Sequence, residues 1–537
     1  MQQVSQSWKD THKQTLLNES FVEVSLDIAD PDSVKDASKM GAVANGSIYI
    51  SNTPEIVSEV DTDVIPYGTL EQNIYLLDGS RKSIPETDYK DGGYIGDALS
   101  NEECVFDTKV PIITINFSVL HTKIIPGITI RWGTAYNEYA SHFIVTAYND
   151  NTIVAEREIV DNTSVTSIIT MDINNYNRIT IRVLGWCLPN HRARVDEIFV
   201  GINKVYTKTD LLNYKHSQVV DPISTSLPKM EIKFSIDNSD NSYNPYNLSG
   251  LAKYITERQE LKVRYGLKLN DNTIEWIKGG NFYLSEWYAK QNGISAEFVA
   301  RDLLEFMSAI YNDTVTNITE RSIGDLAELV LTKANLPLNS DGSKKWVIDS
   351  SLYTIKTKAI LPKDTLANCL QLIANMGCCV LYQDRDGKLH IEHINNTPTD
   401  YEINQFNSYS KSEITLSKLI KEVIVKVYTY TIVDGEIQTK TEDYVLYKGD
   451  TGESITIDNP LVTDTNRANV LGEWVYNYLK NRITLKSVGR ADVRLDALDI
   501  VSNENDYATN KVRMTNVDFT FNGAFRGTGE GRVIEDE

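Results

Sequence analysis

Five side chains hold the most legible chemistry in this sequence: Trp132, Tyr136, Tyr139, Trp186 and Arg192, with His191 beside the last. Aromatic faces stack on sugar rings while planar donors bond hydroxyls, so the group reads as a set of candidate glycan contacts. Trp132 also closes a strand-like run, and Trp186 sits in the apolar VLGWCLP, so core packing is the competing reading for both. Other constellations fall short of a site. Asp384 and Asp386 in DRDG suggest a calcium loop, but further ligands and a bidentate Glu at the twelfth position are missing, so a turn is the better reading. His390 and His393, three apart on a strand, point to opposite faces and make no metal pair. The cysteines Cys104, Cys187, Cys369, Cys378 and Cys379 show no CxxC spacing. A strained redox pair at Cys378–Cys379 is outweighed by the apolar neighbours, which favour buried, reduced thiols. GTGEG at 527–531 has no strand–helix unit to host a phosphate, and GxSxG, HExxH and Walker patterns are missing. The expectation is a chain with no catalytic, cofactor-binding or metal-binding residue, and no enzyme.

At 537 residues the chain should divide into about three to five domains of ~100–200 residues. With 41% hydrophobic and 24% charged residues it can bury real cores. No apolar run approaches the ~18–20 residues of a membrane span. The opening MQQVSQSWKDTHKQTLLNES lacks a signal-peptide pattern, so a soluble chain made in a cytoplasm is expected. A net charge of −21 argues against nucleic-acid affinity, because phosphate neutralisation requires clustered Lys and Arg. The same charge suits a channel wall past which DNA slides without sticking.

The elements that must position the aromatic group are strands. Runs at 112–118, 127–132, 141–148, 152–158, 164–172, 178–184 and 193–200 alternate or continue apolar, with turns at 126–127, 149–151 and 174–175. Strands this dense, with no helix, predict a β-sandwich. The order FSVLH, PGITIRWG, FIVTAYND, VAEREIVDN, YNRITIRVLGW, RARVDEIFVG resembles the galactose-binding-like jelly rolls of carbohydrate-binding modules. In that group the last strand often carries an Arg before an apolar run ending near Gly, here Arg194 to Gly201.

Elsewhere the pattern mixes strands with a few helices. Residues 1–19 read as a polar, partly helical lead-in, and 20–27 as an alternating strand. Short strands are expected at 47–50 and 73–77, and longer ones at 231–236, 260–269, 275–287 and 293–302. A turn-dense run covers 237–245, followed by a short helix at 250–256 with Ser249 as its N-cap. Helical spacing predicts helices at 323–334, 365–376 (Asp364 capping, Gly377 just past the end) and 465–480 (Asp464 capping). A hairpin joins 379–383 to 388–393 through DRDG. Strands at 422–432, 444–448, 483–495, 499–501, 511–516 and 518–521 precede a glycine-rich FNGAFRGTGEGR read as a flexible or interface-ordered tail.

The run LPKMEIKFSIDNSDNSYNPYNLSGLAKYITERQELKVRYG, then EWIKGGNFYLSEW, AEFVARDLLEFM and the closing RLDALDIV and KVRMTNVDFTFNGAFRGTGEGRV, resembles the baseplate hub or tail-associated proteins of phages of Gram-positive bacteria. The likeness covers most of the chain from about residue 205. It is supported by the helix–strand–DRDG–strand unit and by YGTLEQNIYLLDGS near the start. The resemblance implies a predominantly β fold with α+β parts: two tube-like β-barrel hub domains, an α+β domain between them, and an inserted jelly-roll sandwich. The expected division is 1–99 and 204–310 for the first barrel, 100–203 for the insert, 311–410 for the α+β domain, and 411–537 for the second barrel with a packed helix. It further implies a homotrimer in a virion tail, assembled in the host cytoplasm and joining a tail tube or distal tail protein to spike, tape-measure or fibre proteins. No cofactor, specific nucleic-acid contact or membrane contact is expected. The alternative is a receptor-binding tail protein that attaches to cell-wall glycan through the sandwich.

Overall fold

The computed structural model describes residues 1–14, 18–46, 56–57, 93–247, 250–289, 294–312, 318–337, 343–434 and 436–534. The alternation at the start produces the strand Ser20–Ile28, in which Val22, Val24, Leu26 and Ile28 are fully buried while the intervening residues face outward. Each such side chain contributes about 1.5–3 kcal/mol when taken from water. This strand belongs to one 13-stranded sheet. From one edge the order is Ile202–Tyr206, Ser20–Ile28, Glu260–Lys268, Ile274–Ala289, Ser295–Arg301, Lys229–Asp237 and Leu211–Val219. It continues through Thr509–Phe521, Phe525–Val533, Ile483–Arg490 and Glu413–Leu416. Ile500–Glu504 branches from Thr509–Phe521 and carries Pro398–Ile403 in parallel. The two blocks of sequence expected to form separate barrels are thereby joined, through Tyr214–Val219 against Asn516–Phe521, into one sheet around one core. Helix Gln6–His12 packs on it through Trp8, which is 1% exposed, so the lead-in is anchored rather than merely polar.

Ile28 and Ile202 are paired directly opposite each other, and the residues between them leave the sheet and return. Within that excursion the seven expected strands are all present. They lie in a five-stranded sheet (Ala42–Ala44, Ile112–His121, Tyr176–Trp186, Ala140–Asn149, Thr152–Ile159) facing a four-stranded one (Tyr94–Leu99, Arg192–Phe199, Ile125–Trp132, Thr166–Ile173). Helix Pro31–Met40 and the strands Ala42–Ala44 and Tyr94–Leu99 join this unit, because Ala37, Ala42 and Tyr94 are buried in its core. The sandwich therefore begins just after Ile28, not near residue 100. The expected strands at 47–50 and 73–77 lie outside the described residues.

A second core unites helices Ile323–Ala334, Leu366–Gly377 and Thr465–Leu479 with the hairpin Val380–Gln383/Leu389–Glu392. It also takes in the sheet Glu436–Tyr447, Ile420–Val433, Glu453–Ile457. Residues 411–537 thus divide between two cores: the stretch from Ile420 to Leu479 packs on the α+β helices, while Glu413–Leu416 and the last four strands complete the large sheet. The sequence pattern of the hairpin strands is too alternating to tell which core claims them.

Local corrections have physical causes. Thr365, not Asp364, caps its helix by accepting from the Asn368 amide, while Asp364 holds the Thr365 amide and the Asn368 side chain. Gly377 is the last helical residue, where a Cβ would lie 2.4 Å from Leu352 Cδ2, and Cys378 takes the left-handed position (φ 56°). The helix expected at 250–256 is only the 3-10 turn Ala252–Tyr254, and its expected cap Ser249 lies outside the described residues. The glycine-rich end is a strand, Phe525–Val533, paired on both sides. Glycine is needed there for close approach: a Cβ at Gly531 would sit 2.3 Å from the Arg513 carbonyl oxygen. Gly531→Ala is therefore expected to lower stability by about 1–3 kcal/mol. Gly449→Ala, where a Cβ meets nothing within 4 Å, should stay within about 0.5 kcal/mol. Thermal melts of both variants check this, and equal effects would contradict the packing described.

Candidate functional site

The sandwich aromatics separate into two groups. Trp132 and Trp186 are fully buried and meet edge to face, ring centroids 6.1 Å apart, with Phe143 against Trp132. Trp132 Nε1 donates to Ser167 Oγ (2.8 Å) and Trp186 Nε1 to Glu138 Oε2 (2.9 Å). Both are core residues, and the expectation that they present ring faces to a glycan is corrected. Tyr139 packs partly buried on the same core. The Tyr136 ring is covered by the Arg194 guanidinium at 4.2 Å, and Arg192 Nη1 donates to the Gly96 and Asp97 carbonyls. His191 Nδ1 lies 3.1 Å from Glu138 Oε1, both buried. Trp186, His191 and Arg194 fasten the 133–139 loop to the last strands of the sandwich through Glu138 and Tyr136, while Arg192 ties its strand to Tyr94–Leu99.

A cavity of about 380 Å³ lies where the α+β hairpin meets the large sheet. Its wall includes Asp302, Asp384, Glu392, Asp496 and Asp499 with Arg385, His393 and the Met1 amine. The DRDG turn positions it. Asp384 accepts from the Lys388 amide, closing the turn, with Gly387 at φ 75°. This projects Arg385, whose side chain is 2% exposed, into the joint. Arg385 donates to Asp496 Oδ1 (2.6 Å) and to the Lys278 and Leu495 carbonyls (2.9 Å each). Burial pushes Asp496 up, but Arg385 and the terminal amine outweigh it and hold the carboxyl below its ordinary range. Asp499 is raised by burial and by Asp496 beside it, and accepts from the Met1 amine at 2.6 Å.

Asp302 caps the turn Leu303–Met307, accepting from the Leu304 and Met230 amides, and burial pushes it up to about 7. His390 sits between Asp384 and Glu392 at 2.8 Å each; their hydrogen bonds outweigh burial and raise it. Each carboxylate of the wall is committed to a protein donor. The cavity is a polar joint between two cores, and among the described residues no cluster of metal-ligating side chains occurs. Sequence reasoning passed over Arg385 by reading DRDG as a plain turn; an Arg between two Asp was the available signal.

Cys369, Cys378 and Cys379 are buried, whereas Cys104 and Cys187 are only half-buried, correcting that part of the expectation; all five are free. Burial raises the thiols, Cys369 to about 11, and Cys378 stays raised despite Arg467 Nη2 at 3.2 Å. None is set up as a nucleophile. In the large core, His216 Nδ1 lies 2.6 Å from the Tyr265 hydroxyl, itself 2.7 Å from that of Tyr214. Burial, with Arg385 adding to it, lowers His216 to about 3 and keeps it neutral.

No protein-family model and no curated protein sequence matches the chain. Among solved structures it is similar to the 43 kDa tail protein of prophage MuSo2 from Shewanella oneidensis, at 11% identity and TM-score 0.42 over 61% of this chain and 95% of that one. A tail protein from Neisseria meningitidis gives 12% and 0.42 over 62% and 94%. A prophage tail protein from Listeria monocytogenes gives 10% and 0.37 over 62% and 91%.

Two outcomes follow for the joint. Arg385→Met leaves Asp496 buried without its partner and should cost about 3–5 kcal/mol, part of which Asp496→Asn in the same chain restores; additive losses in denaturant melts would contradict the pairing. Asp302 binds its proton more tightly folded than unfolded (ordinary value 3.8), so its stabilising contribution is full below pH ~4 and lost as pH rises through about 7. The difference in Tm between Asp302→Asn and the parent should move in favour of the variant from about pH 4 to about pH 8. A constant difference would contradict the raised carboxyl.

Proposed function

We propose that this chain is a structural component of a phage or phage-derived bacteriocin tail, forming the baseplate hub that connects the tail tube to the spike or tip. The observation that carries this reading is the single 13-stranded sheet built from the two sequence blocks that resemble hub proteins, with a sandwich inserted between the paired strands Ser20–Ile28 and Ile202–Tyr206. A continuous sheet of this length gives a stiff wall, and a stiff wall is what a conduit under load needs. In this reading three copies form a ring, with tail tube or distal tail protein above and spike, tape-measure or fibre proteins below. The acidic balance suits a lumen through which DNA passes without binding. The chain acts as scaffold and not as an enzyme, and its place is the virion tail. The attribution to phages of Gram-positive hosts rests on the sequence resemblance alone.

The receptor-binding reading is not carried forward, because Trp132 and Trp186 are committed to the core and Tyr136 is covered by Arg194. Solution mass of the purified chain, followed by electron-microscope class averages of the same peak, tests the hub. The expected result is a mass near three times 60.6 kDa and a threefold ring with a central opening. A single-chain mass at every concentration, with no ring in the class averages, would contradict it.

A further inference from the structure

The strands Glu260–Lys268 and Ile274–Ala289 present two different faces. Leu261 and Phe282, paired opposite each other, are fully buried in the core of the large sheet. Their neighbours point the other way: Glu260 is paired opposite Tyr283, and Asn281, two residues from Tyr283, shares that face. The α+β core lies against this side of the sheet and takes in Tyr283, whose ring meets Phe306 edge to face at 4.9 Å.

One lysine descends on this group from the α+β unit. Lys345 precedes the strand Trp346–Ile348, and its carbonyl accepts from the Leu389 amide of the hairpin. It is 7% exposed, which is rare for a lysine. Its Nζ donates to the Tyr283 hydroxyl (3.1 Å) and lies 3.5 Å from Glu260 Oε1. A charge-assisted hydrogen bond runs about 2.7–2.9 Å, so Glu260 is a loose partner for a buried ammonium. The same Oε1 accepts from Asn281 Nδ2 (3.1 Å). Asn281 is held from the hairpin side: Gln383 Nε2 donates to its carbonyl (2.9 Å), and a Cβ at Gly387 would fall 3.1 Å from Asn281 Cβ. A primary amine and a carboxamide thus meet at one carboxyl oxygen, beside an aromatic ring. These are the parts of an amide exchange: a nucleophile, a proton carrier and an acyl group with its leaving group.

We propose that Lys345 and Asn281 are a self-cross-linking site, joined through Glu260 as a side-chain amide. Glu260 takes a proton from the Lys345 ammonium, giving a neutral amine beside a neutral carboxyl, a pair that costs less to bury than two charges. The Asn281 amide turns about Cβ–Cγ so that Oδ1 accepts from the Glu260 carboxyl, which polarises Cγ. Nζ then attacks Cγ. The Nζ–Cγ bond forms and the Cγ–Nδ2 bond breaks. The proton shed by Nζ passes through Glu260 to Nδ2, which leaves as ammonia. No oxidant or other reactant enters. The product ties the large sheet covalently to the α+β core and closes a loop that the unfolded chain would otherwise leave open. It forms once, within one chain, however copies of the chain assemble.

Intact mass of the denatured full-length chain, followed by peptide mapping, tests the linkage. The parent should weigh one ammonia less than its sequence, and trypsin should release a branched peptide joining residues 279–290 to residues 345–356. Glu260→Gln keeps both reacting groups but carries no proton between them, and Lys345→Arg keeps the charge but not the amine. Both variants should have the full mass and give the two peptides separately. A cooperative melt in each shows that losing the linkage is not losing the fold. A parent at full sequence mass overturns the cross-link. So does a lost ammonia that maps elsewhere in the chain or persists in either variant.

Discussion

The structure depends on one strand, Leu211–Val219, being paired on both sides. On one side lies Lys229–Asp237, next along the chain; on the other lies Thr509–Phe521, some 300 residues away in sequence, as the Ser217–Asp518 contact shows. Without that second pairing the N-terminal and C-terminal blocks would be two open sheets, each with a long unpaired edge. With it, a common core forms in which His216, Tyr265, Phe282 and Phe519 pack as interlocking edge-to-face rings. Neutral His216 belongs to this arrangement, since burial and the Arg385 charge outweigh the pull of Asp496 and disfavour a proton at that depth.

The rest of the chain is hung on that sheet at defined points. The sandwich is tied at its root by Ile28–Ile202 pairing and again by Asp172, which meets Lys253 and the Tyr254 hydroxyl of the large-sheet unit. The α+β core is tied by Arg385 to Asp496, by the Ser224 hydroxyl to the Cys379 carbonyl (2.9 Å), and by Asn375 Nδ2 to the Ile223 carbonyl (2.9 Å). Apart from the exposed Asp172–Lys253 pair, the side-chain ties are buried or part-buried polar contacts between units whose own cores are apolar. Such contacts fix orientation more than they add stability, because desolvation offsets much of their attraction.

Much of this was legible in the sequence because period-2 and period-3.6 patterns report burial directly. The strand at 20–28, the seven sandwich strands and the helices at 323–334 and 465–479 were all found to within three residues at each end. What the pattern could not report is partnership across long separations. Alternation places Val512, Met514 and Val517 on faces, with a bulge between Met514 and Asn516, but does not say that their neighbours are Phe525–Val533 and Leu211–Val219. The same limit hid the division of residues 411–537 between two cores. The candidate glycan residues failed for a related reason: tryptophan beside polar residues looks alike in a binding face and in a core whose indole nitrogens are satisfied by Ser167 and Glu138. The acidic joint was invisible because its five carboxylates come from separated segments and meet only through the fold.

Native-state amide hydrogen exchange, read residue by residue, tests the central claim most directly. If one sheet spans both blocks, the hydrogen-bonded amides of Tyr214–Val219 and those of Asn516–Phe521 should be among the slowest to exchange and should open together, with the same free energy and the same dependence on denaturant. If the C-terminal segment exchanges through an opening of its own while Leu211–Val219 remains protected by Lys229–Asp237 alone, the two blocks are separate sheets and the account fails.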